Sequence, residues 1–305
     1  MSVLHVLLPA LPRSRAEQVF VCWLRKGRRL PDVPDLRAAV IRGMFRFNGE
    51  SIPVAALRHH VHGSDAGTGF WMCADPAYVR SEAAGARLMA CPVTDLVSDE
   101  ARAFAVALGP LFGEAGLALA VDTPSAWCVH LGGEAPGVAF TGPGDALGAD
   151  LLDCLPQGEA GRSWRRLFNE GQIALHAHPA NAERIAAGKL PVNALWFWGA
   201  GRLPGSVESP LALLASSDDV LRGLARLAGI ACAGPAPEAL DATRQSGDVL
   251  LDLVGQDLSG ALARWLPRFR QVLRERRFEA VELLFPGGER FRVRHAHRLR
   301  FWRRG

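Results

Sequence analysis

Apolar residues fall along this chain in short runs broken by turn residues, and the period of the runs predicts alternating strands and helices. Ser2 to Leu8 is nearly continuous in apolar character and is stopped by Pro9 and Pro12, which predicts a buried strand. Ser14 to Lys26 follows as a helix, with Ser14 and Glu17 at the spacing of a capping box. Leu30 to Arg37 contains Pro31 and Pro34 and reads as a loop; Pro53 heads a helix over Val54 to His62. Thr68 to Cys73 and Ala86 to Cys91 are short apolar runs, each closed by a proline within three residues, and predict strands. Ser98 is placed to cap a helix over Asp99 to Phe112. Leu117 to Val121 and Ala126 to Leu131 then predict two strands joined through the turn Asp122-Thr123-Pro124-Ser125.

The middle of the chain reads as helical, with a short helix over Ala146 to Cys154 and a longer one over Arg162 to His176. Pro179 redirects the latter, Asn181 to Ala187 is a further helical segment, and Gly188 ends it. Asn193 to Trp198 predicts an apolar strand, followed by a glycine turn at Gly199-Ala200-Gly201. The last third adds a helix at Val220 to Leu227, a strand at Val249 to Val254, and a helix over Leu258 to Arg276 interrupted or bent near Pro267. Ala280 to Phe285 and Arg290 to Val293 form a hairpin across Pro286-Gly287-Gly288. Strands and helices alternating in this way predict an α/β fold with a mixed sheet flanked by helices. A main α/β domain is expected over residues 1–205 and a second α/β part, packed on the first, over 206–305.

Composition narrows the picture in three places. No stretch approaches the roughly twenty apolar residues of a membrane span, and the apolar start has no basic residue before it, so a cytoplasmic protein without a membrane partner is expected. The six cysteines are scattered with no CxxC pair, which points to reduced, mostly buried thiols rather than a disulfide framework or structural zinc. The net charge of +4 is unevenly placed, because Arg264 to the C-terminus holds thirteen arginines against four acidic residues. Arginines among Phe291, Phe301 and Trp302 can bind nucleic acid or phosphorylated ligands. In Arg290-Phe291-Arg292-Val293-Arg294, however, the arginines share one strand face and read as its solvated side, so nucleic acid is the less favoured partner.

Recognised catalytic motifs are missing. There is no GxxxxGK[ST] loop, no full GxGxxG and no GxSxG elbow. His176 and His178 point to different faces of a helix, and His59, His60 and His62, with Asp65 following, lack HExxH spacing; no metal ligand is assigned. The densest polar stretch is Gly161 to Pro204. Polar side chains at a strand end beside glycines are where α/β folds place ligands, and the candidate ligand-binding residues are His178, Asn181, Arg184 and Asn193, with Gly199 and Gly201 shaping the backbone.

The blocks Trp71-Met72-Cys73-Ala74-Asp75-Pro76, Gly161-Arg162-Ser163-Trp164, Asn169-Glu170, His176-Ala177-His178-Pro179-Ala180-Asn181 and Asn193-Ala194-Leu195-Trp196-Phe197-Trp198-Gly199-Ala200-Gly201 resemble the RpfE-type proteins. These are proteobacterial proteins named for regulation of pathogenicity factors and often labelled phosphoglycerate mutase-like. Within them, His178 to Asn181, Arg184, Gly188 and Asn193 to Gly201 are similar to a segment of the archaeal-type cofactor-independent phosphoglycerate mutases, metal-dependent members of the alkaline-phosphatase superfamily. In those enzymes an arginine precedes the Gly-x-Gly; here the position is Trp198. That superfamily uses a metal-activated Ser or Thr with Asp and His ligands near both chain ends. Here the first strand runs into Pro9-Ala10-Leu11-Pro12, and no DxxxH or DH pair follows late in the chain. The resemblance therefore implies part of an alkaline-phosphatase-like fold without its metal core. It also implies a regulatory or ligand-sensing protein that takes an anionic metabolite, has no mutase activity and needs no cofactor. The alternatives are a phosphoglycerate mutase or phosphatase using Mn or Zn, and a module binding nucleic acid or a protein partner through the basic C-terminus.

Overall fold

A computed structural model describes residues 2–10, 18–62, 67–83, 85–241 and 247–299. The capping box at Ser14 and Glu17, Asp65, Phe301 and Trp302 lie outside the described residues. In chain order the first elements are β1 (Val3–Leu7), α1 (Gln18–Arg25), β2 (Arg28–Leu30), α2 (Leu36–Met44) and β3 (Arg46–Phe47). Next come α3 (Val54–Val61), β4 (Phe70–Glu82), β5 (Gly85–Ala90), α4 (Ser98–Glu114), β6 (Ala118–Thr123) and β7 (Ala126–His130). They are followed by α5 (Pro143–Ala146), α6 (Leu151–Cys154), α7 (Arg162–His176), α8 (Pro179–Ala186) and β8 (Ala194–Arg202). The chain closes with β9 (Val207–Glu208), β10 (Leu211–Ala215), α9 (Asp219–Leu227), β11 (Ala231–Ala233), β12 (Asp248–Asp252), α10 (Leu258–Arg274), β13 (Ala280–Leu284) and β14 (Arg290–Arg294). No helix among the described residues is long and apolar enough to cross a membrane.

Two compact units result: Met1–Asn48 with Gly205–Gly305, and Gly49–Pro204. The division expected near residue 205 coincides with a unit boundary, but residues 1–48 join the C-terminal part rather than 49–204. The reason is β1, which lies between β12 and β13 and pairs with both in parallel. A strand buried on both sides in a parallel sheet carries a nearly continuous apolar run, which Val3 to Leu8 shows with His5 as its one polar member.

The first unit is built on a seven-stranded sheet of order β11-β10-β12-β1-β13-β14-β2, parallel except for β14, which pairs antiparallel with both β13 and β2. Leu4, Val6, Val249, Leu251, Val281 and Leu283 form one apolar face, covered by Phe20 and Trp23 of α1 and Trp265 and Phe269 of α10. Trp23 stacks on Phe269 with ring centroids 6.2 Å apart. The expected bend at Pro267 does not interrupt α10, because neighbouring Trp265, Leu266 and Phe269 are buried. Packing of that size outweighs the roughly 3 kcal/mol cost of an internal proline.

The second unit has a sheet of order β5-β4-β7-β6, with β8 also paired to β4 and every described pairing antiparallel. β4 runs on through Pro76 where the sequence suggested a stop; Pro76 falls between the stretches paired with β7 and with β5. On one face Met72, Ala74, Trp127, Val129 and Trp196 pack against Phe104 and Leu108 of α4 and Phe168 and Leu175 of α7. On the other, Trp71, Cys73 and Cys128 pack under Ala55 and Ala56 of α3. The expected glycine turn at Gly199 to Gly201 is instead part of β8, which continues to Arg202. The pairing slips by one residue there, a β-bulge that Gly199 accommodates at φ 63°.

Candidate functional site

The structure gathers His178, Asn181, Arg184 and Asn193 around α8 and the start of β8, and gives each a partner in the scaffold. His178 precedes α8 and accepts from the Ala180 N–H through Nδ1 at 3.2 Å, its ring tilted against Phe104. Asn181 donates to the carbonyls of Leu175 and Val192 at 2.7 Å each and accepts from the Val192 N–H at 2.8 Å. Asn193 exchanges hydrogen bonds with both backbone groups of Val79 on β4. Arg184, whose side chain is 0% exposed, reaches Asp95 at 2.5 Å, Glu100 at 2.7 Å and the Leu190 carbonyl at 2.8 Å. A guanidinium neutralised twice in a buried setting offers little to a further anion. Gly199 and Gly201 lie at the far end of β8. A Cβ on them would stand 2.9 Å from Val54 Cβ and 2.5 Å from Pro53 Cβ, so they permit close packing of α3.

Beneath α3 lies a second polar group that sequence reasoning missed. Trp71, Cys73 and Asp75 alternate along β4 and so share one face. Asp75 is fully buried and accepts four hydrogen bonds: two from the Arg58 guanidinium at 2.9 Å each, one from Trp198 Nε1 at 2.8 Å and one from the Trp127 N–H at 3.2 Å. Burial works against the Arg58 charge, but the Asp75 carboxylate beside it holds the guanidinium firmly protonated. Burial likewise pushes up the Cys73 thiol, against the pull of Arg58, and the Cys128 thiol, where Asp122 adds to it. Both are thiols rather than thiolate nucleophiles.

His59, on the next position of α3, places Nδ1 2.7 Å from Asp122 Oδ1 and 3.4 Å from Cys128 Sγ, while Sγ lies 3.3 Å from Asp122 Oδ2. Among the described residues these three make the one group of His, Cys, Asp or Glu side chains whose donor atoms all approach within 4.8 Å of each other. The signal in the sequence was faint: an aspartate inside an apolar strand, and a histidine on the apolar side of a helix whose first residue follows a proline. Asp122 read as turn composition, but it lies within β6, at the irregularity between Val121 and Thr123.

In the first unit, polar groups collect at the carboxyl ends of the parallel strands, the usual place for ligands in such sheets. Asp252, at the end of β12, accepts from the Ser216 hydroxyl at 2.7 Å and from the Val254 N–H at 3.0 Å. Asp218 caps α9 through the Leu221 N–H and pairs with Arg37 at 2.8 Å. Leu7, Leu8, Arg37, Ile41, Asp252 and Pro286 line a cavity of about 210 Å³. No three metal-ligand side chains converge there among the described residues. Leu8 and Pro9 occupy the end of β1, and both Asp252 oxygens are already engaged. These residues do not fit the ligand set of a metal-dependent phosphoryl-transfer centre.

The arginine face of β14 is not simply solvated. Arg292 pairs with Glu282 on β13, which also lies 3.2 Å from His5 Nδ1, and Arg294 pairs with Glu279 at 2.9 Å. Arg268 and Arg277 both face Asp241. Much of the basic charge read from the sequence is matched internally.

No family model matches the chain. A segment of 99 residues is 33% identical to a probable 2,3-bisphosphoglycerate-independent phosphoglycerate mutase of Geobacter sulfurreducens, over 31% of this chain and 25% of that protein. The corresponding enzyme of Methanosarcina barkeri is 33% identical over 95 residues, 30% of this chain and 24% of its own length. The matched part of the chain thus spans about a quarter of the length of these curated relatives. By fold, the chain is similar to the PH0037 protein from Pyrococcus horikoshii, with TM-score 0.50 and 14% identity over 95% of this chain and 86% of that one. The cofactor-independent phosphoglycerate mutase from Thermoplasma acidophilum gives TM-score 0.47 at 14% identity, over 96% and 90% of the two chains. Over about 30% of its length the chain is distantly homologous to the cofactor-independent phosphoglycerate mutases, and its architecture is a mixed sheet flanked by helices.

Proposed function

We propose that this chain is a regulatory, ligand-sensing relative of the cofactor-independent phosphoglycerate mutases, of the RpfE type, and that it has no mutase activity. One observation carries the reading: the carboxyl ends of the parallel strands hold a small cavity with a cation at its edge and no convergent metal ligands among the described residues. The ligand is a small anionic metabolite, bound through Arg37. Magnitudes favour Arg37 over Arg184. The Arg37–Asp218 pair is 57% and 23% exposed, and such a pair is worth less than about 1 kcal/mol, so Asp218 can yield to a carboxylate or phosphate. Breaking the buried Arg184 pairs costs about 3–5 kcal/mol. His178, Asn181 and Asn193 then serve to hold α8 and β8 together. The test is calorimetric titration of the full chain with 3-phosphoglycerate and, separately, with inorganic phosphate. Binding that disappears in Arg37→Ala and survives in Asn193→Ala supports the reading; binding that survives in Arg37→Ala, or none in the wild-type chain, overturns it.

A further inference from the structure

His59, Asp122 and Cys128 come from three elements of the second unit, and nothing in the proposed sensing role uses them. We propose that these three side chains form a zinc site, with Nδ1, a carboxylate oxygen and Sγ as ligands. The distances suit one shared ion. Zinc bonds of about 2.0–2.3 Å in a tetrahedron set ligand atoms roughly 3.3–3.7 Å apart. The two sulfur separations, 3.3 and 3.4 Å, already match, and only the 2.7 Å hydrogen bond between His59 and Asp122 must open.

The arrangement is wrong for a nucleophilic relay. A Cys-His-Asp relay sets the thiol on one ring nitrogen and the carboxylate on the other. Here Sγ and Oδ1 both face Nδ1, so the three groups converge on a point instead of forming a line. The donor set also selects the ion. Magnesium and calcium take oxygen ligands, whereas one nitrogen, one sulfur and one oxygen suit zinc.

Charge balances in a place where imbalance is costly. The His59 and Asp122 side chains are 6% and 7% exposed, and Cys128 is buried. A thiolate and a carboxylate offset the two charges of the ion, and the imidazole binds neutral. On binding, the Cys128 thiol gives one proton to solvent, and His59 carries its single ring proton on Nε2 instead of Nδ1. The ligands are also held in advance. The Trp71 ring stacks on His59 at 3.9 Å, Cys128 is fixed opposite Cys73 in the β4–β7 ladder, and Asp122 sits on β6 between the paired Val121 and Thr123. Three protein ligands leave a fourth position for water or an outside donor.

The full chain is purified from cells grown with added zinc, dialysed against metal-free buffer and measured for zinc by elemental analysis. About one zinc per chain is expected, falling at least about tenfold in Cys128→Ser and in Asp122→Asn and unchanged in Cys22→Ser, an exposed cysteine far from the cluster in sequence. Cobalt-grown protein is expected to show a thiolate charge-transfer band in the near ultraviolet and tetrahedral visible bands. If Cys128→Ser does not fold, the wild-type cobalt spectrum and Asp122→Asn decide the matter. A metal-free chain, zinc indifferent to both substitutions, or cobalt without a thiolate band would each overturn the site.

Discussion

The two units bury polar side chains in different ways. In the first, charged groups are strung out in a row across the sheet, from Asp248 through His5 and Glu282 to Arg292, and end at partly exposed arginines. In the second, they are gathered under one short helix, where Asp75 alone accepts four hydrogen bonds. The row opens to solvent at its arginine end, where water can replace a lost partner, although Glu282 at its centre is buried. A gathered group cannot be rehydrated, so each member is tied to the others. Burial therefore does not separate ligand site from scaffold in this molecule. What separates the proposed ligand site from scaffold is whether a charge is already spent, as on Arg184, or held by a weak surface pair, as on Arg37.

The sharpest way to break this contrast is Asp75→Asn. It keeps shape but strands the Arg58 charge in the interior, and a loss of about 3–5 kcal/mol in urea denaturation is expected. Arg184→Ala removes a fully buried side chain but leaves Asp95 and Glu100, 48% and 20% exposed, in reach of water, and is expected to cost less, about 1–3 kcal/mol. A loss under about 1 kcal/mol in both would remove the distinction between the units.

Glu282 tests the row. Burial pushes its carboxyl up, but the neighbouring His5 and Arg292 more than offset this and hold it down at about 2. A carboxylate depressed from 4.5 contributes stability that is present above that value and is lost as pH falls toward 2. The contribution at neutral pH is about 3 kcal/mol, and its acid loss shows as a falling melting temperature between roughly pH 4.5 and 2. Glu282→Gln is expected to flatten that part of the curve; an unchanged slope would show that the row carries no such linkage.

Gly199→Ala is a smaller perturbation. A Cβ there meets Val54 at 2.9 Å and sits at a left-handed φ, so about 1–3 kcal/mol is expected, read as a lower denaturation midpoint. Arg37→Ala is the mildest for stability, under about 1 kcal/mol by the same measurement, while removing 3-phosphoglycerate binding.

The local pattern of the chain made much of the architecture legible. The apolar run at Val3 to Leu8, the helix over Arg162 to His176 and the hairpin of β13 and β14 all follow from short-range periodicity. Partnerships across long separations were not legible. The Val3 N–H meets Asp248 across 245 positions, which is why residues 1–48 could not be assigned to the C-terminal part. His59 meets Asp122 and Cys128 across 63 and 69 positions, and no local spacing encodes that meeting. Gly199 looked like a turn because a left-handed glycine serves a bulge and a turn equally well. Arg184 looked like an anion ligand because its two carboxylate partners, Asp95 and Glu100, lie on a distant stretch of chain.

The most direct test of the central claim is a mutase assay on the purified full chain with 3-phosphoglycerate, run with manganese supplied in excess, beside calorimetric binding of the same compound. Binding without turnover is the predicted result. Manganese-dependent formation of 2-phosphoglycerate would contradict it.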